Sequence, residues 1–175
     1  SVIEALETVL EGQDRERVTR LNLSTTLSTN AIVENTIEEV GVLVTAGPGL
    51  DPDDFRIGRD YQVIPGAMDH RGEEIAPLDT DRLDTVLQEF KDRDLKVFSV
   101  VGKFSTRNPV HERLITERIT ANGLNPDFIS MGHRLSGLLN FPRRVSTAFY
   151  NSAVWRVYNT FADSVAAGIK DQGLN

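Results

Sequence analysis

Six of the seven residues from Ser24 to Asn30 carry a hydroxyl or an amide: Ser24, Thr25, Thr26, Ser28, Thr29 and Asn30. Neutral donors crowded into a turn, beside the free backbone N–H groups of a helix start, suit an anion, a phosphate or a polar substrate. They also suit an ordinary helix N-cap, where Ser and Thr are preferred, although one cap uses one hydroxyl. Thr25, Thr26, Thr29 and Asn30 are the first candidates for orienting such a ligand through hydrogen bonds. None reads as a nucleophile, because no base lies nearby in sequence to activate it.

Four other places offer chemistry. Arg59, after Ile57-Gly58, presents a guanidinium suited to a carboxylate or phosphate, or pairs on the surface with Asp53 or Asp60. Asn108 caps a helix with Pro109 at its first position, where the missing N–H costs nothing. His111 then falls near the helix start, as a ligand, an acid/base group or a structural residue beside Glu112. His111-Glu112 is not a zinc-protease signature, since no histidine follows four residues on. His133, Arg143 and Arg144 bring cations to a helix start, where the dipole opposes them. An anion or an acidic surface would balance them; plain solvation is the alternative. His70 falls in a turn. The three histidines lie far apart in sequence, so no metal site is expected.

The elements that must position these groups follow from periodicity. Val2, Leu6, Val9 and Leu10 share a helical face that Gly12 ends. Thr19, Leu21 and Leu23 alternate with polar residues, which predicts a strand over 16–23 feeding the hydroxyl turn and a helix over 26–35. That arrangement places the turn at the carboxyl end of a strand, where ligands gather in open α/β sheets. The apolar run 40–46 reads as a strand buried on both faces. Residues 47–79 read as an irregular hairpin insertion, with strands over 61–64 and 73–75. Asp79-Thr80 opens a helix carrying Leu83, Val86, Leu87 and Phe90 on one face. A strand over 96–104, a helix ending at Asn122-Gly123 and a strand over 127–131 follow. Residues 144–170 read as one long helix, apolar on more than one side, either central or leaning on a partner such as a second copy. Strands alternating with helices predict an α/β fold, a single domain over 1–175 with a mixed or mainly parallel sheet, flanking helices and a long C-terminal helix.

Composition narrows the function. The 175 residues carry a net charge of −7 with 39% hydrophobic and 26% charged residues, the mix of an ordinary globular chain. No more than two basic residues adjoin, which argues against extended nucleic-acid binding. Cysteine is absent, which excludes a disulfide framework, a thiol nucleophile and a Cys-ligated zinc site. A cytoplasmic protein is expected: no apolar run reaches bilayer-spanning length, and no signal peptide is visible.

Ser24-Thr25-Thr26 followed by Thr29-Asn30-Ala31 resembles the S/T-T-x-x-T-N-A segment near the start of the hydantoinase/5-oxoprolinase family, which includes N-methylhydantoinase A subunits and acetone carboxylase subunits. Further landmarks fall in the family's order: Val42-Leu43-Val44-Thr45 with Gly47, Ile57-Gly58-Arg59, Asn108-Pro109-Val110-His111-Glu112 after a strand, and Gly132-His133-Arg134 before the last helix. They span most of the chain. The resemblance implies part of an actin-like ATPase region in an ATP-dependent hydrolase that opens hydantoin- or 5-oxoproline-type rings, with ATP and Mg²⁺ as cofactors. It implies that Thr25, Thr26, Thr29, Asn30, Arg59, Asn108 and His111 contact substrate or phosphate, and that a B-type subunit is a partner. The family's Asp-x-Gly-Gly-Thr phosphate loop does not occur here, so the chain is read as an excised piece, inactive alone. A non-catalytic α/β interaction module and an acetone carboxylase-like subunit are the other readings.

Overall fold

Val40, Val42, Leu43 and Val44 are buried together with every other residue of β1 (Val40–Thr45), and burial on both faces puts that strand inside a sheet. In the computed structural model, which describes residues 2–173, β1 lies between β2 (Asp60–Val63) and β5 (Val97–Gly102), and β6 (Phe128–Met131) adds beyond β5. All three pairings are parallel, with Val42 opposite Tyr61 and Ser99, and Phe98 opposite Ile129. The expected parallel sheet is present. A two-stranded antiparallel ribbon, β3 (Ala67–Met68) with β4 (Glu74–Ala76), stands apart from it.

The chain divides into two compact units, one of residues 38–153 and one of residues 1–37 with 154–175. In the first, one sheet face contributes Leu43, Phe98 and Val100 to a core with Leu83, Val86, Leu87 and Phe90 of α3 (Thr80–Asp92) and Ile115 and Ile119 of α4 (Val110–Ala121). Asp79 caps α3 as expected, accepting the Arg82 N–H at 2.9 Å. α6 (Phe141–Ala153) packs on β1, β5 and β6 and buries Val145, Ala148 and Phe149. Its Ser152 hydroxyl donates to the Phe98 carbonyl at 2.7 Å. Between β6 and α6 lies the single turn α5 (Gly132–Leu135).

In the second unit, Leu6 and Leu10 of α1 (Val2–Leu10) pack with Val18, Leu21 and Ile169 of α7 (Trp155–Asp171). α2 (Leu27–Val33) also contacts α7.

Three boundaries differ from expectation. No strand forms over 16–23: Arg15–Arg17 is a 3-10 turn, and residues 18–26 have no ladder partner. Of the alternating residues only Leu21 is covered, packing with Val18 against the α1 cluster, while Thr19 and Leu23 are exposed. Residues 61–64 are not one arm of a hairpin, because Tyr61, Gln62 and Val63 pair with β1; the hairpin is β3–β4. The helix expected over 144–170 is two helices, divided at Val154.

Candidate functional site

β5 ends at Gly102, and both polar groups of that peptide segment are held by buried charges. Glu112, in the first turn of α4, is 1% exposed. Its Oε1 accepts the Gly102 N–H at 2.8 Å. Its Oε2 accepts the backbone N–H of His133 at 3.0 Å and stands 2.5 Å from His133 Nδ1. The Gly102 carbonyl accepts Arg144 Nη2 at 2.7 Å, while Arg144 Nη1 donates to the Leu138 carbonyl at 2.8 Å. The end of β5 and the starts of α4, α5 and α6 are thus joined through one carboxylate and one guanidinium. An isolated ion buried this deeply would cost several kcal/mol; here Glu112 has three donors. Burial pushes the Arg144 pKa down, and the Glu112 charge acts the other way.

Small residues make the cluster possible. A Cβ on Gly132 would lie 2.9 Å from Val101 Cγ1 and 3.1 Å from Glu112 Oε1, so a side chain there would displace the carboxylate. Ser105 Oγ and Arg144 Nε are buried without a hydrogen-bond partner, polar capacity that the protein itself leaves unused.

The cluster borders the division of the sheet. From β1 the chain leads to β2 on one side, and from its neighbour β5 to β6 on the other. In open α/β sheets, ligand crevices lie past the carboxyl ends at such a division. Lys103 crosses it, donating its N–H to the Thr45 carbonyl at 2.7 Å and its Nζ to the Pro48 carbonyl at 2.5 Å. Past β1 and β2 is a shallow cleft of about 410 Å³ lined by Ala46, Gly47, Pro48, Gly66 and Ala76.

The sequence candidates separate. His111 is 3% exposed, with Nε2 2.7 Å from Glu74 Oε1 and Nδ1 buried without a partner. Asn108 donates from Nδ2 to the Gly72 carbonyl at 2.9 Å and accepts the Val110 N–H at 3.1 Å, tying the turn before β4 to the start of α4. The Arg59 side chain is 78% exposed and lies 3.5 Å from Glu39, while Asp53 pairs with Arg56 and Asp60 with Arg93. His133, Arg143 and Arg144 do not form one basic group: Arg143 is exposed, and the other two are engaged in the buried cluster.

Thr25, Thr26, Thr29 and Asn30 belong to the other unit and are exposed. Thr25 Oγ1 accepts the Leu27 N–H at 3.1 Å, a local turn; Thr26 occupies the cap position of α2 without a side-chain cap bond. Together they present neutral hydroxyls and one amide at the surface. Among the described residues no group of three His, Cys, Asp or Glu could hold a metal ion.

The sequence reading placed Glu112 only as a structural residue at a helix start, and did not single out Gly102. A glutamate in the first turn of a helix is ordinary there, and only its burial against a glycine-ended strand distinguishes it.

A family model described as the hydantoinase/oxoprolinase N-terminal region matches residues 1–123. Caprolactamase subunit alpha of Pseudomonas jessenii is 24% identical over 169 aligned residues, covering 85% of this chain and 24% of that protein. The crystal structure of the ATP-dependent caprolactamase from Pseudomonas jessenii matches with a TM-score of 0.75 at 23% identity, over 98% of this chain and 28% of that one. The nucleotide-free structure of an acetone carboxylase matches with a TM-score of 0.70 at 15% identity, over 86% and 25%. These likenesses show the fold, and the chain spans about a quarter of the length of the relatives it matches.

Proposed function

The chain belongs to the hydantoinase/oxoprolinase N-terminal region family, and from that premise we propose that it is part of an ATP-dependent enzyme opening cyclic amides of the hydantoin or 5-oxoproline type. The family match over residues 1–123 carries this reading. The structural relative named an ATP-dependent caprolactamase, an enzyme named for a cyclic amide, supports it.

ATP, when bound, supplies the phosphoryl group that activates the amide oxygen. In this reading Thr26, Thr29 and Asn30 orient phosphate oxygens or the polar ring through neutral hydrogen bonds, and Thr25 shapes the turn. Mg²⁺ would supply charge neutralisation for the phosphates, and among the described residues no group of three His, Cys, Asp or Glu would hold it. His111 and Asn108 serve chiefly as scaffold in the sheet-bearing unit, and the exposed Arg59 offers its guanidinium to a carboxylate or phosphate. A partner subunit fits the relative's designation as an alpha subunit. The acetone carboxylase likeness supports a second reading, carboxylation of a small ketone by a similarly organised enzyme.

The enzyme that carries this chain, given MgATP, is expected to release phosphate in step with ring opening of hydantoin, 5-oxoproline or ε-caprolactam; the chain alone is expected to be silent. Phosphate release that depends on acetone and bicarbonate, and on no cyclic amide, would select the second reading. Dependence on neither would favour a non-catalytic interaction module.

A further inference from the structure

The Glu112–His133 pair has one nitrogen to spare. Glu112 Oε1 is taken by the Gly102 N–H at 2.8 Å, and Oε2 by the His133 N–H at 3.0 Å and by Nδ1 at 2.5 Å. A carboxylate only accepts hydrogen bonds, so Nδ1 carries a ring proton, and in the neutral form of the ring Nε2 is the lone-pair acceptor. The Glu112 side chain is 0% exposed and the His133 side chain 15%. The pair therefore has a sealed end and an open one. Among the described residues no protein group takes Nε2, and this nitrogen is not among the buried atoms left unpartnered. A carboxylate fixing one imidazole nitrogen so that the other can work is how proteins orient histidine bases and ligands.

We propose that His133 is a proton acceptor held in working orientation by Glu112, with Gly102, Gly132 and Arg144 as positioning groups. Its Nε2 takes a hydrogen bond, then the proton, from an uncharged N–H or O–H donor: the ring N–H of a cyclic amide or a water molecule. The identity of the donor rests on the function proposed above; the base itself does not. In the transfer, the donor's N–H or O–H bond breaks and its electron pair stays on the donor. An Nε2–H bond forms, and the imidazolium is stabilised across Nδ1–H by the Glu112 carboxylate. The proton leaves later to solvent through the open end. Arg144 does not compete for the carboxylate, because two of its nitrogens hold the carbonyls of Gly102 and Leu138.

The competing account is architectural: Glu112 and His133 only close the ends of β5 and β6. That account leaves Nε2 dispensable, and His133→Asn separates the two. An asparagine amide can keep the N–H donated to Glu112 while removing the second nitrogen. ¹⁵N-resolved spectra of the chain are expected to show the neutral form of His133 as the tautomer protonated at Nδ1 and bare at Nε2. Diethylpyrocarbonate, which acylates accessible neutral imidazole, is expected to modify His133 at Nε2 and to spare His111, which is 3% exposed. An Nε2–H tautomer, or a folded chain in which His133 resists the reagent as His111 does, overturns the proposal.

In the enzyme that carries the chain, His133→Asn is expected to lower kcat by about 10²–10⁴-fold with an unchanged melting midpoint. A folded variant that turns over at the wild-type rate overturns the proposal as well. The donor is read from the His133 Hε1 resonance: a shift with a cyclic amide but not with its N-methyl derivative assigns the ring N–H. The same response to both, with turnover still lost in the variant, assigns water. Loss of turnover in the variant on an acetone-and-bicarbonate reaction would retain the base and remove the cyclic-amide reading.

Discussion

Gly58 and Phe149 approach so closely that no side chain fits between them. A Cβ on Gly58 would lie 2.6 Å from Phe149 Cε2, and the Gly58 backbone has φ +74°, in the left-handed region. The turn between β1 and β2 is thereby laid against α6, where Phe55 also meets Phe141 edge-on at 6.3 Å between ring centres.

Gly58→Ala is therefore expected to cost about 1–3 kcal/mol from the backbone alone, with a further loss from the collision. Urea denaturation of Gly58→Ala and of Gly58→Ala/Phe149→Leu separates the two, since the second variant relieves only the collision. The neighbouring Arg59→Ala, at an exposed site, is expected to stay within about 0.5 kcal/mol of wild type. The glycine, more than the arginine, explains why this tripeptide suits its place in the fold.

Removing Glu112 tests how the carboxyl edge is held. Glu112→Ala leaves the N–H groups of Gly102 and His133 and the His133 ring without their acceptor, and Arg144 without a nearby opposite charge. Losses on breaking such a buried set run to about 3–5 kcal/mol. Glu112→Gln retains the shape but turns an NH₂ toward groups that donate, so a smaller loss is expected. Chemical denaturation measures both, and a double-mutant cycle with Arg144→Met is expected to show coupling, because the two side chains hold opposite ends of one peptide segment. Additive losses would mean that they act independently.

The sheet-bearing unit was largely legible because its signals are local and redundant. The run 40–46 is too apolar for an exposed strand, and Leu83, Val86, Leu87 and Phe90 allow only one buried face. The strand expected over 16–23 failed for a physical reason: so short an alternation need not mark a buried side, and here Thr19 and Leu23 are exposed and only Leu21 is covered. Val18 and Leu21, three residues apart, pack against Leu6 and Leu10 of α1 without any strand partner. The break at Val154 was equally hidden, since no proline or glycine marks it. In the site, His133 was visible as a reactive residue type, but its partner was not. A carboxylate becomes exceptional only when folding removes it from water.

Tyr61 gives a prediction in pH. Its hydroxyl donates to the Pro52 carbonyl at 2.7 Å, and the residue is 1% exposed. Burial, assisted by the negative charge of Asp53, pushes the phenol up from 10.0 to about 12. The folded state thus holds this proton more tightly than the unfolded chain. Its stabilising contribution is complete below pH ~10 and is lost as pH rises toward the folded value. The denaturation midpoint is expected to fall over that window, and the fall is expected to shrink in Tyr61→Phe. Tyrosinate absorbance should show one late-ionising group that the variant lacks. An unaltered alkaline profile in Tyr61→Phe would remove Tyr61 as the cause.

The hydroxyl turn can be divided by whether a substitution affects stability or chemistry. Thr25 Oγ1 accepts the Leu27 N–H at 3.1 Å, so Thr25→Ala removes a real bond in the turn before α2 and is expected to cost about 0.5–1.5 kcal/mol. Thr29 and Asn30 are exposed on α2, and alanine at either is expected to change stability by less than about 0.5 kcal/mol. If these side chains orient phosphate or the ring, the stability-neutral changes are the ones that affect catalysis. Thr29→Ala and Asn30→Ala in the enzyme that carries the chain are expected to lower kcat/KM by about tenfold or more each, as loss of a hydrogen bond worth roughly 1.5 kcal/mol does. Thermal denaturation alongside phosphate-release kinetics reads both quantities. Full activity in both variants would reduce the turn to a helix start with one local hydrogen bond, and the phosphate would have to be held elsewhere.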